Sequence, residues 1–194
     1  MKTTRLEAFS DGVLAIIITI MVLEMKVPHA ADLAGLKPVM PVFLSYVLSF
    51  IYLGIYWNNH HHLFQATEQV SGGILWANLH LLFWLSLFPF TTAWMGENHL
   101  AAIPTAIYGF VLLMAAIAYY VLERTIIAKE GHNSLLAQAI GKDWKGKLSA
   151  LLYFLAIPLA FVSSWIAVGI YVFMALLWLI PDPRIERKVE KREK

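Results

Sequence analysis

Four histidines stand where chemistry could be done: His60, His61 and His62 in "YWNNHHHLF", and His80 in "WANLHLLFW". An imidazole can ligate a metal or carry protons near neutral pH. Their spacing argues against a metal. Consecutive residues on a helix diverge by about 100°, so three neighbours cannot face one ion, and a helical metal pair wants i, i+4. No histidine has such a partner, and no Glu-x-x-His pattern occurs. The chain has no cysteine, which removes disulfides, zinc–thiolate sites and thiol catalysis. Paired carboxylates of the kind a hydrolase uses are also missing. The chemistry left to these histidines is a structural hydrogen-bond cluster, with a pH-responsive role as the alternative, and the groups that can join them are Asp11, Trp57 and Asn78.

The elements that must position these groups are apolar. Of 194 residues, 59% are hydrophobic and 14% charged, against about 25% charged in soluble domains. A membrane helix needs about 20 mostly apolar residues. The first candidate covers about residues 6–25, the second 40–62, the third 72–95 and the fourth 103–122. Residues 123–147 are polar and read as a loop or a surface helix. Residues 148–180 hold no charge. As one helix they would run about 50 Å, against a hydrocarbon core of about 30 Å. A tight hairpin near Ser163 and Ser164 resolves the excess, so the spacing predicts six spans in one all-α integral membrane domain, residues 1–194. A charged, basic tail closes it at about 181–194.

Six spans place both termini on one side. That side collects Lys2 and Arg5, then Arg124, Lys129, Lys142, Lys145 and Lys147, then the six basic residues of the tail; only Lys26 and Lys37 fall opposite. The excess of Lys and Arg marks the cytoplasmic side, so both termini are expected in the cytoplasm. With a net charge of only +2, this lopsided distribution is a topology signal rather than a nucleic-acid surface. Asp11 interrupts the first apolar stretch and Glu24 would sit near the cut, which argues against a cleaved signal peptide. No internal repeat and no low-complexity segment is evident.

Topology then brings polar groups to one depth. Asp11 lies near the start of the first span, Trp57 to His62 near the end of the second, and Asn78 and His80 near the start of the third. A charge inside a span is costly, so Asp11 needs partners. The expectation is a buried hydrogen-bond cluster of Asp11, Trp57, His60, His61, Asn78 and His80 joining the first three helices. With Ile16 at zero, Ile20 falls at about 40°, Leu23 at about 340°, Thr19 at about 300° and Gly12 at about 320°, while Asp11 falls at about 220° and Ser10 at about 120°. Ile16, Thr19, Ile20 and Leu23 therefore share one apolar stripe with a single hydroxyl, and Asp11 points elsewhere.

The stretch "RLEAFSD" has the form R-x-x-x-F-S-D at Arg5, Phe9, Ser10 and Asp11, followed by "GVLAIIITIMVLEMKVP". With Trp57 and the histidines after it, Asn78, and "PF" at Pro89 and Phe90, it resembles the bacterial branch of the lysosomal potassium channel family called transmembrane protein 175. The resemblance implies a homotetramer with a central pore lined by the first helix of each subunit. It implies a narrowest ring at Ile16, a threonine linked to selectivity at Thr19, and further apolar layers at Ile20 and Leu23. It also implies a pore without the usual potassium filter, and no T-V-G-Y-G signature is present. The family's eukaryotic members carry two six-helix repeats; this chain carries one, so a fourfold pore needs four chains.

The expected function is a potassium-permeable cation channel of the bacterial inner membrane, with no cofactor beyond permeant potassium ions. Its partners are the lipid bilayer, monovalent cations and three further copies, with no nucleic acid. Glu24 lies at about 80°, near the outer mouth, where four copies would concentrate cations; a solvated helix end reads equally well. The principal rival is a proton-coupled secondary transporter using Asp11 and the histidines. Transporters are usually built from repeats with broken helices, which the sequence lacks. A membrane enzyme or a non-conducting scaffold are the remaining readings.

Overall fold

A computed structural model describes residues 3–67, 69–131, 134, 136–137 and 143–179. Most of the polar stretch from 132 to 142 and the whole tail expected at 181–194 lie outside the described residues. Among the described residues these α-helices follow in order: α1 Thr3–Leu23, α2 Met40–Gln65, α3 Gly72–Ser86, α4 Phe88–Glu97, α5 Ala102–Glu130, α6 Trp144–Val162 and α7 Ser164–Leu179. A 3-10 helix, Leu33–Val39, leads into α2. There is no strand among the described residues.

Among the described residues five stretches are long and apolar enough to cross a membrane: Thr3–Leu23, Leu33–Gln65, Gly72–Glu97, Ala102–Glu130 and Trp144–Val162. The sixth apolar helix, Ser164–Leu179, is shorter at 16 residues, about 24 Å at 1.5 Å per residue. Two boundaries differ from the sequence expectation. The third span is not one helix: it breaks at Leu87, because Pro89 opens α4 without an amide N–H to bond the turn before it. The fourth span runs on to Glu130 rather than stopping at 122, so the first part of the polar stretch is helix. The hairpin expected near Ser163 and Ser164 is present. Ser163 is extended at φ −160° and ψ 119°, its N–H closes α6 on Leu159 O, and its carbonyl accepts from Ile166 N of α7.

Side-chain contacts orient the bundle. Asn78 near the start of α3 reaches Ser10 near the start of α1 and His60 near the end of α2. Tyr119 on α5 donates to Asn59 O on α2, and Trp178 at the end of α7 donates to Ser149 near the start of α6. The start of α1, the end of α2, the end of α5, the start of α6 and the end of α7 therefore share one end of the bundle. Arg5, Arg124, Lys129, Lys145 and Lys147 belong to that end, and Lys26 and Lys37 to the other. Lys26 pairs there with Glu97 at 2.8 Å. Hydrogen bonding to that carboxylate holds the Lys26 ammonium above its usual range. With both side chains well exposed, the pair contributes little to stability.

Hydroxyl groups join the apolar interior. Ser49 on α2 bonds Thr92 on α4 at 2.7 Å and Tyr108 on α5 at 3.0 Å. Tyr52 donates to Tyr171 O, Tyr153 donates to Tyr52, and Tyr171 donates to Thr105 O. Water is scarce in lipid, so each buried polar group needs a protein partner, and these six hydroxyls supply one another or a backbone carbonyl.

Gly96 sets how closely α4 and α2 approach. A Cβ there would stand 2.6 Å from Val42 Cα and 3.2 Å from Val42 N, both backbone atoms that cannot rotate aside. Gly96→Ala is expected to destabilise the chain by about 1–3 kcal/mol through overpacking, seen as a lower unfolding midpoint in detergent. An unchanged midpoint would mean that α4 can shift at no cost.

Candidate functional site: the open face of the first helix and the cluster behind it

One side of α1 is packed and the other is bare. Leu6, Ser10, Leu14, Ile17 and Met21 are buried, at about 80°, 120°, 160°, 100° and 140° on the winding that sets Ile16 to zero. They meet α2, α3 and α4, the main neighbours of α1. The opposite side carries Ile16 at 59% exposure, Ile20 at 40% and Leu23 at 80%. Gly12, Ala15 and Thr19 lie among them and are exposed too. Apolar side chains at these exposures leave a stripe of hydrocarbon along a helix whose other face is fully used.

Thr19 is the hydroxyl of that stripe. Its Oγ1 shares its hydrogen between Ile16 O at 2.9 Å and Ala15 O at 3.0 Å on its own helix. Such back-bonding is a common way for a threonine to live in an apolar helix. Glu24 follows the end of α1 and is exposed, with its N–H still bonded to Ile20 O.

Behind the packed face runs a directed hydrogen-bond chain. Asn78 is fully buried and donates from Nδ2 to Ser10 Oγ at 3.0 Å. That orientation turns its Oδ1 toward His60 Nε2, 2.8 Å away, so His60 must carry its hydrogen on Nε2 and donate. Ser10 in turn donates to Leu6 O at 2.9 Å. Three helices are thus tied by donors all running one way, from α2 through α3 to the backbone of α1. His60 also lies against the Phe64 ring, with centroids 4.6 Å apart.

The polar groups read from the sequence divide into this chain and two separate pairs. Asp11, expected in the buried cluster, is exposed. It accepts from Trp57 Nε1 at 3.0 Å, and the Trp57 ring stacks on His61 at 6.4 Å and 18°. His80 stands apart, accepting from Trp84 Nε1 one turn on. The physical reason is angular: the bundle faces α1 near 120°, where Ser10 sits, and Asp11 one residue later falls at the edge of the helix. Arg5 and Phe9 are exposed. Among the described residues no group of three or more His, Asp or Glu is placed to hold a metal. The sequence reading missed Ser10 as the partner of Asn78, although its place on the winding pointed there.

The Asp11–Trp57 pair is a surface contact in the chain, which sets the size of its effect. Asp11→Ala is expected to cost about 0.5–1.5 kcal/mol, the net worth of one hydrogen bond, and to leave folded protein in good yield. Trp57→Phe should cost a similar amount, and the double variant little more than either alone. Size-exclusion profiles and thermal unfolding in detergent check this; loss of all folded protein in Asp11→Ala would restore the buried-anchor role that the sequence suggested.

The comparisons with known proteins fit this geometry. The family model for the endosomal/lysosomal potassium channel TMEM175 matches residues 5–89, which contain most of α1, both partners of Asn78, and Pro89. A potassium channel of Chryseobacterium sp. (strain P1-3) is 58% identical over 98% of this chain and 100% of its own length. A potassium channel of Streptomyces collinus is 32% identical over 91% of each chain. The crystal structure of a lysosomal potassium-selective channel TMEM175 homolog from Chamaesiphon minutus superposes with a TM-score of 0.80 at 31% identity, covering 93% of this chain and 97% of that one. A fold, a motif-bearing first half and near-complete length coverage thus agree with the resemblance seen in Arg5, Phe9, Ser10 and Asp11, and the chain belongs to the TMEM175 family.

Proposed function

We propose that the chain is a potassium-permeable cation channel, active as a homotetramer whose central pore is lined by α1. The observation that carries this reading is the bare stripe of Ile16, Thr19, Ile20 and Leu23 on the side of α1 away from the buried Leu6, Ser10, Leu14, Ile17 and Met21. One α1 cannot enclose a pore, so the stripe must meet copies of itself around a closed symmetry axis. Gly12 and Ala15 on the same side let helices approach closely, as small residues do between membrane helices. Four Ile16 side chains then form the narrowest ring, Ile20 and Leu23 form apolar layers beyond it, and Thr19 supplies oxygen between them. Rings of this kind gate by dewetting. Glu24 at the far end of α1 gathers cations at the outer mouth.

The excess of Lys and Arg at the end holding the start of α1 supports cytoplasmic termini, in the inner membrane of a bacterium. Residues 1–194 act as one channel domain. Asn78, His60 and Ser10 hold α1 in register behind the pore, and the relatives' names supply potassium as the permeant ion. The proton-coupled alternative is not favoured: Asp11 and His60 belong to separate hydrogen-bond groups, so no relay joins them among the described residues.

Purified protein in potassium-loaded liposomes tests the reading. It is expected to pass potassium down its gradient with no coupled substrate, and crosslinking in mild detergent should stop at four chains. Flux that requires a proton gradient, or conduction by a strict monomer, would overturn it.

A further inference from the structure

On the flank of the bundle away from the bare stripe, α2, α5, α6 and α7 enclose a cavity of about 310 Å³. That is the size of a small-molecule site. It lies at the end of the bundle where α5 finishes and α6 begins, and the pore reading makes no use of it. Glu123 of α5 lines it and is buried to 4% exposure. Among the described residues its Oε1 has no hydrogen-bond partner; Arg124 Nε stands 3.8 Å away and its guanidinium lies over the Tyr120 ring. A buried carboxylate oxygen without a donor is costly, and a cavity beside it admits a donor from outside the chain.

The rest of the lining is graded. Trp144 and Tyr120 are about half exposed and form the rim, where Lys147 is exposed as well. Lys145 is engaged by Leu177 O and the Trp178 ring. Asp143, also in the lining, accepts from Gly146 N at the start of α6. The order from inside to outside is therefore carboxylate, aromatic wall, lysine. We propose that the cavity binds the headgroup of an aminophospholipid: the terminal ammonium donates to Glu123, the phosphate meets Lys147 at the rim, and the acyl chains leave across Ile117, which is exposed on α5. A primary ammonium has three N–H donors. A trimethylated headgroup has none to give, and an anionic headgroup without nitrogen would set like charge against Glu123. Tryptophan and lysine at the rim suit the depth of lipid headgroups.

Delipidated protein in detergent, offered phosphatidylethanolamine, phosphatidylcholine and phosphatidylglycerol with identical acyl chains, reads the preference by native mass spectrometry. About tenfold higher retention of phosphatidylethanolamine is expected, the effect of one charge-assisted hydrogen bond in a buried site. Glu123→Gln should bring it level with phosphatidylcholine. Lys147→Ala, an exposed change that leaves folding intact, should lower retention of phosphatidylethanolamine several-fold. Soluble O-phosphoethanolamine at millimolar concentration should not displace the lipid; displacement would assign the site to a free phosphoamine and overturn the lipid. Equal retention of the three lipids by the wild type would overturn the proposal outright, even were Glu123→Gln not to fold, and an undiminished preference in a folded Glu123→Gln would remove Glu123 from it.

Discussion

Ile16→Asn is expected to raise single-channel potassium current several-fold and to weaken discrimination between cations. On the proposed pore, an ion entering a ring of four isoleucines would shed hydration water and receive no oxygen in return, and that deficit would be the barrier. Asparagine has nearly the same reach but brings a carbonyl and an amide, so water fills the ring. The position tolerates the change because Ile16 is 59% exposed in the chain and packs no core. A lipid-facing stripe predicts otherwise: the polar side chain would then lower the yield of folded protein and leave the current of the surviving channels unchanged. Thr19→Val is the companion. It keeps the shape and deletes the one hydroxyl of the stripe, so reversal potentials in mixed potassium and sodium should shift toward non-selectivity while current persists. Normal current and selectivity in both variants, at normal expression, would sink the pore assignment.

Asn78→Ala is expected to abolish most folded protein. The side chain is fully buried and holds two partners, His60 Nε2 and Ser10 Oγ. Its loss leaves a donor on α2 and an acceptor on α1 unsatisfied, at about 1–3 kcal/mol each, and opens a hole besides. Against a total stability of about 5–15 kcal/mol, that is a large fraction. The measurement is the yield of the monodisperse peak in mild detergent. Ser10→Ala is the control, because it removes one link and leaves His60 paired; it should lose far less. Similar yields for the two variants would show that the chain from His60 to Leu6 O does not hold α1.

How much of this could be read in advance depended on which physical quantity a residue reports. The spans follow from local hydropathy, and their two-sided order from where Lys and Arg fall, so both were legible. That Ile16, Thr19, Ile20 and Leu23 share one side of α1 was legible because angles on a helix need no knowledge of its neighbours; that this side is bare depends on those neighbours and was not. The break at Ser163 followed from length alone. The break at Leu87 was present in Pro89 but was hidden by an apolar run long enough for one span. Partner choice was the hardest. Charge drew attention to Asp11, but burial is decided by direction, and one residue is about 100°; the uncharged Ser10 faced the bundle. The hydroxyl network of Ser49, Tyr52, Tyr108, Tyr153 and Tyr171 had no local signature, because its bonded partners are separated by tens of residues and meet only in three dimensions.

The bond that Thr19 makes to its own helix has a consequence for the sign of charge that the stripe can accept. A hydroxyl has one hydrogen, and here it is committed to the carbonyls of Ala15 and Ile16. What remains outward is a pair of lone pairs. On the pore reading, a cation reaching Thr19 would meet an oxygen able to coordinate it, whereas chloride would meet no donor from this hydroxyl. The contribution of Thr19 to charge preference would then rest on the placement of a hydrogen atom and not on ionisation, so it would not depend on pH. Serine at this position could keep the arrangement; cysteine, a weak acceptor, could not.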